Sequence, residues 1–425
     1  MNDRDMTRRR FIRDSIAAGA ACGALAATGL AAESARRILG SNERIHIAQI
    51  GCGGRNGSHT QSVFEHKDRA NATIIAVCDI WKKKREAYVP YVEKRFGAAP
   101  KTYADYRQVL DDKEIDAVII ATPDHQHCGQ LADSVRAGKD VYVEKPIAVY
   151  LEDLNRAYDA VKETGAVVQH GTQGRSSQGT AALRELVRSG KMGKLFRVES
   201  TETAYQPYWN FYECPKSEEE TNWKEFLYGR PDRPFDPDQH GCWMGYHEFS
   251  TGTIGGWMSH FIDYVHAVTG CGFPRAAVTH GGIFAPTTDR RRTSPDTVNV
   301  MLEYAEGFVT HFTTHFGSAV DNETTTYFFE KGTVRSMFGH NPGAPVVSGE
   351  GSEHKERIPD KKALDLPPTT DHMLNFLECI RSRKKPNADM DAGYMHGVAC
   401  LLGYVSWLTG RKTIFDPEKR EVRPA

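Results

Sequence analysis

The chain reads as an α/β protein, an N-terminal Rossmann dinucleotide-binding domain followed by a C-terminal α+β domain on an open, mostly antiparallel sheet. Three observations predict this. From Arg44 to about His170, short β-rich runs alternate with longer helical stretches, the pattern of a doubly wound parallel sheet. The first run empties into a glycine-rich turn, Gly51-Cys52-Gly53-Gly54. Beyond it the alternation stops: Leu195–Ser200, Ala277–His280, Val298–Tyr304, Phe308–Thr313 and Thr326–Phe329 read as successive sheet strands, followed by amphipathic helices at Met373–Arg383 and Tyr394–Leu408 that would close the second domain.

A chain of 425 residues is long enough for two or three domains. Lys plus Arg number 54 against 55 Asp plus Glu, a formal charge of -1, which argues against a nucleic-acid partner or an anionic membrane surface. A small neutral or weakly charged ligand fits better. The nine cysteines are scattered without a Cys-x-x-Cys pair, so neither a zinc site nor a disulfide framework is expected.

Thr7-Arg8-Arg9-Arg10-Phe11-Ile12-Arg13 fits the twin-arginine export pattern. The Ala/Gly stretch Ser15–Ala32 that follows is too short and too small-sided for a stable membrane span. Residues 1–32 are therefore expected to be a signal peptide, 33–43 a linking arm, 44–170 the nucleotide domain and 171–425 the substrate-binding and oligomerisation domain. That route carries folded proteins, so a periplasmic or otherwise exported enzyme would leave the cytoplasm with its cofactor loaded. Without a free nicotinamide pool outside, the cofactor has to be retained and re-reduced or re-oxidised within each cycle.

In the first half, Ile45–Ile50 is a strand that runs into Gly51, which permits a tight turn, and Gly53, which lets the backbone approach a pyrophosphate at a helix start. Gly54, Arg55 and Asn56 continue the loop and are counted with it as cofactor contacts, as are Thr122, Pro123, His127, Glu144 and Lys145 further on. The third glycine falls at Gly57, one place later than the strict spacing. A second strand, Thr73–Cys78, ends at Asp79, placed to accept hydrogen bonds from the adenosine ribose hydroxyls and to repel a 2′-phosphate. NAD is expected, with NADP the alternative because Lys82–Lys84 follow; Asp79 also suits a helix N-cap. The strand Asp116–Ala121 leads to Thr122-Pro123-Asp124-His125-Gln126-His127, a turn suited to lying along the ribose and nicotinamide. His125 and His127 have the spacing of a turn and no third ligand nearby, so no metal is expected. Asp140–Val143 then delivers Glu144-Lys145-Pro146: a lysine leaving a parallel strand just before a φ-restricting proline is aimed at the cofactor crevice, and its bond to Pro146 is a candidate for cis.

These residues, with Ala121-Thr122-Pro123-x-x-x-His127 and Gly255-Gly256-Trp257-Met258-Ser259-His260-Phe261-Ile262-Asp263, resemble the Gfo/Idh/MocA superfamily of sugar and inositol oxidoreductases over nearly the whole chain past the signal. The resemblance implies that Lys145 hydrogen-bonds the reacting hydroxyl and steadies the developing alkoxide, and that His260 accepts its proton. The superfamily commonly has an Asp four residues before that His; here the position is Gly256, leaving His260 dependent on Asp263 or another neighbour. His170, Gln173 and Arg175, just past the last nucleotide-domain strand, are candidates to reach substrate along with Asp263. The insert from Tyr205 to Tyr246 reads as a long loop whose Trp209, Tyr212, Trp223, Trp243 and Tyr246 offer either stacking faces for sugar rings or core for the loop itself.

The expected activity is NAD(P)-dependent oxidation of a hydroxyl on a sugar, sugar alcohol or glycoside, by an exported homo-oligomer with a retained cofactor. Two alternatives stand beside it: hydrolysis of a glycoside through transient oxidation and elimination, for which the absent acid at Gly256 leaves room, and sugar or nucleotide binding without turnover.

Overall fold

Ile45–Ile50 (β1) is buried along nearly all of its length, as a strand covered by helices on both faces must be. It is followed by Gly54–Ala70 (α1), Ala72–Cys78 (β2), Lys82–Phe96 (α2), Lys101–Tyr103 (β3), Tyr106–Asp111 (α3), Ala117–Ile120 (β4), His127–Arg136 (α4), Asp140–Val143 (β5), Leu151–Thr164 (α5) and Val168–His170 (β6). The six strands form one parallel sheet in the order β3-β2-β1-β4-β5-β6. That order reverses direction between β1 and β4, and the loops leaving β1, β4 and β5 all open at the same carboxyl edge, where such sheets bind ligands. The structure, a computed structural model, describes residues 43–285, 292–319, 324–337, 344–349 and 362–425. The expected signal peptide and all of the arm but Glu43 lie outside these.

The second unit begins with Gln178–Arg188 (α6) and Leu195–Ala204 (β7), continues through two short helices, Trp223–Leu227 (α7) and Pro237–Gly241 (α8), and reaches Ser259–Thr269 (α9). The strands Pro274–Gly282 (β8), Thr297–Tyr304 (β9), Val309–Phe316 (β10), Thr324–Phe329 (β11), Gly332–Met337 (β12), Val346–Ser348 (β13) and Lys362–Ala363 (β14) come next. His372–Ser382 (α10), Met390–Thr409 (α11), Thr413–Asp416 (β15) and Glu421–Pro424 (β16) complete the chain. Ten strands make one sheet in the order β14-β13-β12-β11-β7-β10-β9-β8-β15-β16, antiparallel except where β7 runs alongside β10. Four of the five sequence-predicted strand segments fall wholly within it, and the fifth, Phe308–Thr313, begins one residue before β10. Its inner face packs on the helices; on the outer face Val278 and Met301 sit opposite each other across β8 and β9, about half exposed, with Phe196 also exposed on β7.

Two features depart from the sequence reading. Helix α10, expected to close the second domain, instead covers the first sheet: Met373, Leu374, Phe376 and Leu377 share one buried cluster with Ile45, Ile47, Ile119 and Tyr142. Gln169 Nε2 donates to His372 O, and Arg383 Nη2 reaches Asp140 Oδ1 at 3.0 Å, tying that helix to the strands beneath it. The Rossmann sheet needs cover on that face, and the C-terminal region supplies it. Helix α11 is not amphipathic but buried nearly all round, because it is wedged between β8 and α5. Gly397 makes that fit: a Cβ there would stand 2.8 Å from Leu154 Cδ2.

The 205–246 insert carries its own small core, Trp223, Phe226, Leu227 and Tyr246 with Phe249. Trp209 is buried separately, against Phe316 at the end of β10. Of the five aromatics singled out in the sequence, these three are therefore packing residues. Tyr212 and Trp243 remain, and both line the cavities described next. Among the described residues no helix is long and apolar enough to cross a membrane.

Candidate active site

Two adjoining cavities, of about 390 and 460 Å³, open at the carboxyl edge of the parallel sheet. The smaller lies over the glycine turn and is lined by Gly51, Gly53, Gly54, Asp79, Thr122 and Pro123 among others. Gly51 has φ +91°, and a Cβ on it would meet the backbone oxygen of Ala121 at 2.6 Å, so the β1 and β4 loops can cross only at a glycine. Gly53 and Gly54 have nothing within 4 Å of a would-be Cβ, and Gly53 caps α1 without a side-chain bond. The result is a bare helix N-terminus facing open space, the arrangement that accepts an anion.

Asn56, counted with the cofactor contacts in the sequence reading, is fully buried behind this turn and lines neither cavity. Its Nδ2 donates to the carbonyls of Ile50 and Gly51, and its Oδ1 accepts from Gln49 Nε2 at 3.0 Å. It shapes the loop from below. The carboxylate of Asp79 accepts from Cys52 N on Oδ2 and from Trp81 N on Oδ1, both at 2.7 Å, which leaves a lone pair on each oxygen toward the cavity. Of the nearby lysines, Lys83 pairs with Glu213, and Lys84 reaches the same carboxylate at 3.0 Å.

The larger cavity contains Lys145, His260, Asp124, Glu202, Thr203 and Trp257; Arg55, Thr122, Tyr212 and Trp243 belong to both cavities and form the seam. Its floor is organised by Glu144. Oε1 of that buried carboxylate accepts from Arg55 Nε at 2.8 Å, His59 Nε2 at 2.8 Å and Gln173 Nε2 at 3.0 Å, while Oε2 accepts from the backbone N of Lys145 at 3.0 Å. Burial alone would push this carboxyl up; Arg55 and the hydrogen bond from His59 outweigh it and hold the group well below its ordinary range. Backbone packs equally close, since a Cβ on Gly171 would stand 2.6 Å from Oε1.

Lys145 follows through a cis bond to Pro146, and its Nζ donates to the backbone oxygen of Gly256 at 3.0 Å. Gly256 belongs to a wide, π-type turn over Ile254–Met258 that feeds α9. The adjacent Gly255 lets that turn lie on Pro146, whose Cγ would be 3.0 Å from an added Cβ. The position where an acid was expected beside His260 thus gives Lys145 a main-chain acceptor, while Asp263, the other partner expected for His260, is clasped by Arg175. Burial pulls the Lys145 ammonium below its ordinary pKa, with Glu144 working against the shift. His127, between the two loops, faces the carbonyls of Pro146 at 2.8 Å and Thr122 at 2.9 Å. It pins the Thr122-Pro123 turn to the lysine turn, and a neutral ring donates to only one of the two.

Four candidate substrate residues lie elsewhere. His170 is fully buried and stacked on His396, with ring centroids 4.4 Å apart. Arg175 clasps Asp263 through Nε at 3.0 Å and Nη2 at 2.8 Å, and Asp263 is 1 % exposed. Burial would raise that carboxyl, and Arg175 more than reverses it. Gln173 binds Tyr142 and Glu144. None of the four lines either cavity; they buttress the floor and the base of α9. His170, Asp263 and His396 are clustered closely enough for a metal, but the Arg175 guanidinium already neutralises their one acid.

The sequence reading passed over Asp124, Glu202 and Thr203. The Oδ2 of Asp124 accepts from Ser250 Oγ at 2.7 Å, and burial raises its carboxyl to about 7, the Ser250 hydrogen bond working in the opposite direction. Its place right after Thr122-Pro123 was the available signal. Glu202 and Thr203 sit at the far end of β7, where nothing in the local pattern distinguishes them from sheet residues.

A 3-2-1-4-5-6 parallel sheet with a glycine turn, joined to an open antiparallel sheet with a lysine loop at the seam, defines a two-domain dinucleotide-binding scaffold. Residues 45–172 match the Gfo/Idh/MocA oxidoreductase family, NAD-binding Rossmann fold, and residues 180–335 match the Gfo/Idh/MocA C-terminal domain. The chain belongs to the Gfo/Idh/MocA family. Inositol 2-dehydrogenase of Salmonella paratyphi B is 30% identical over 126 residues, 29% of this chain and 36% of the relative. Levoglucosan dehydrogenase of Pseudarthrobacter phenanthrenivorans is 26% identical over 234 residues, 51% of this chain and 53% of the relative. The matched part thus spans about a third to a half of these curated relatives. The WlbA dehydrogenase from Chromobactrium violaceum, solved with NADH and UDP-GlcNAcA, has the same fold, with a TM-score of 0.64 and 19% identity over 89% of this chain and 97% of that one.

Proposed function

We propose that this protein is an NAD-dependent oxidoreductase that removes hydride from a ring hydroxyl carbon of a sugar, sugar alcohol or glycoside. The observation that carries the reading is the placement of Lys145 and His260 in one cavity that shares a wall with the cavity over the glycine turn. The residues fit a dinucleotide. Gly53 and Gly54 leave open space at a helix N-terminus, and Arg55 Nη2 at the seam is buried with no hydrogen-bond partner, as a group awaiting an anion would be. Asp79 offers its remaining lone pairs to ribose hydroxyls, and Lys83 and Lys84, engaged with Glu213, are spoken for, which favours NAD over NADP.

When bound, the nicotinamide supplies a hydride acceptor. Lys145 donates to the reacting oxygen and steadies charge as it develops, in a pocket where Glu144 fixes the backbone beneath it. His260 takes the proton. Glu202, Thr203 and Asp124 offer acceptors and donors for other hydroxyls, and Trp257, Trp243 and Tyr212 present aromatic faces to a ring. Inositol and levoglucosan, in the names of the two relatives, are cyclic polyols of the same size class. The twin-arginine pattern supports an exported enzyme that keeps its cofactor through the cycle, and the half-exposed Val278, Met301 and Phe196 support a second chain against the outer sheet face.

The test is to incubate purified protein with inositols, pyranoses and glycosides and to follow both the reduced-nicotinamide absorbance and sugar release. Hydride transfer to bound cofactor that Lys145→Ala abolishes supports the reading. Sugar release with no reduced cofactor at any stage would overturn it.

A further inference from the structure

We propose that Cys214 and Cys242 are a thiol pair that oxidises to an intramolecular disulfide, stapling the 205–246 segment over the two cavities. The two sulfurs lie 4.0 Å apart, already in contact across a span of 28 residues. A disulfide needs them at about 2 Å, which asks for a shift of about that size in side chains on short, irregular segments. The approach is set by Gly241: a Cβ there would fall 2.1 Å from Cys214 Sγ and 2.9 Å from its Cα, so only glycine lets the end of α8 lie on Cys214. Among the described cysteines, Cys214 alone is not buried.

The chemistry divides naturally between the two. Cys214, partly exposed, is the sulfur an oxidant can reach. Cys242 is buried; the hydrogen bond from Cys214 and the Arg292 guanidinium beside it hold its thiol below the ordinary range, and the same shared proton pushes the Cys214 thiol up. With glutathione disulfide as oxidant, Cys214 loses its proton and attacks one glutathione sulfur, expelling the first glutathione. The Cys242 thiolate then attacks Cys214 Sγ and expels the second. Two thiol protons and two electrons leave the cysteines, and one glutathione disulfide becomes two glutathiones. Asp238 completes a cluster whose ligand atoms lie within 4.8 Å of one another. Arg292, which also donates to Cys242 O at 3.4 Å, puts a positive charge where a cation would sit, and so favours the disulfide.

The position of the pair gives it an effect. Tyr212 and Glu213 immediately precede Cys214, Trp243 immediately follows Cys242, and all three line the smaller cavity. Glu213 also bridges to Lys83 and Lys84 on α2. A covalent link between these two stretches would hold both walls of that cavity together. Slower loss of a dinucleotide from it rests on the function proposed above; the disulfide itself does not.

The full chain is equilibrated in reduced and oxidised glutathione, alkylated under denaturing conditions and mapped by peptide mass, with limited chymotrypsin digestion as a second readout. The expected result is a linked Cys214–Cys242 peptide lighter by two hydrogens, severalfold slower cleavage within 205–246, and neither change in Cys214→Ser. Full alkylation of both thiols at every glutathione ratio overturns the proposal. So does a stable glutathione adduct on Cys214 alone, a bound zinc that shields both thiols until chelated, or a disulfide that leaves cleavage unchanged. Failure to bind NADH in either redox state would count against the proposed function and leave the peptide map to decide this one.

Discussion

Replacing Glu144 by Gln keeps its shape and removes its charge, and the structure sets the cost. With the amide oxygen in the place of Oε1, it still accepts from Arg55, His59 and Gln173, but without the carboxylate's charge, so the Arg55 bond is assisted from the donor side alone and the others are weakened, losing about 1 kcal/mol each. The amide nitrogen then faces the backbone N–H of Lys145 across 3.0 Å, donor against donor. Flipping the amide is worse, because its nitrogen would confront three donors. Burying a neutral amide recovers part of the carboxylate's desolvation, and the Arg55 side chain is 33% exposed, which discounts its share. The net loss is about 2–4 kcal/mol, near the low end of what breaking a buried ion pair costs. The pH dependence adds a sign. The folded-state pKa of Glu144 is depressed below 4.5, so its contribution is fully present above 4.5 and is lost as pH falls through the folded value. Urea unfolding of both proteins by tryptophan fluorescence between neutral pH and pH 4 or below measures this. A difference under about 1 kcal/mol at pH 7, or one that does not shrink in acid, refutes the account of Glu144 as the organising charge of the floor.

Lys145→Ala should lower hydride transfer roughly 100- to 1000-fold while NADH affinity, read by fluorescence titration, stays within a few fold. Asp124 carries the reverse pH signature from Glu144: its carboxyl is raised to about 7, so the folded state holds the proton, and wild-type stability falls as pH rises from about 4 to 7. Asp124→Asn keeps an acceptor for Ser250 and should gain on wild type over that window, by up to about 4 kcal/mol at pH 8, in melting curves taken across pH. Gly51→Ala places a Cβ 2.6 Å from Ala121 O at a positive φ, and should cost about 2 kcal/mol or more and weaken NADH binding in the same titration.

The parallel sheet, the glycine turn and the lysine loop were legible because each depends on residues adjacent in sequence: a strand period, a φ that demands glycine, a Lys-Pro pair at a strand end. What was not legible depends on contacts between distant segments. Nothing local in Met373–Ser382 says that its apolar side meets Ile45 and Ile119 rather than the nearer sheet. Likewise His170, Gln173, Arg175 and Asp263 carry the residue types of a binding site, and only the fold shows that Gln173 is turned on Glu144, Arg175 and Asp263 on each other, and His170 on His396. The insert's aromatics divided the same way: Trp223 and Tyr246 pack inward, Tyr212 and Trp243 face the cavities, and the sequence offers no periodicity by which to separate them.

Lys145 leans on the carbonyl of Gly256, and a carbonyl has properties that no side chain at that position could share. It neither titrates nor changes with substitution at residue 256, so the lysine's orientation is insulated from pH at that contact. An acid limb in the reaction would then come from groups that do ionise within the same cavity, Asp124 first among them. An acid engineered at position 256 would enter as an additional titrating charge beside a lysine that already has its partner, and so would reshape the pH profile.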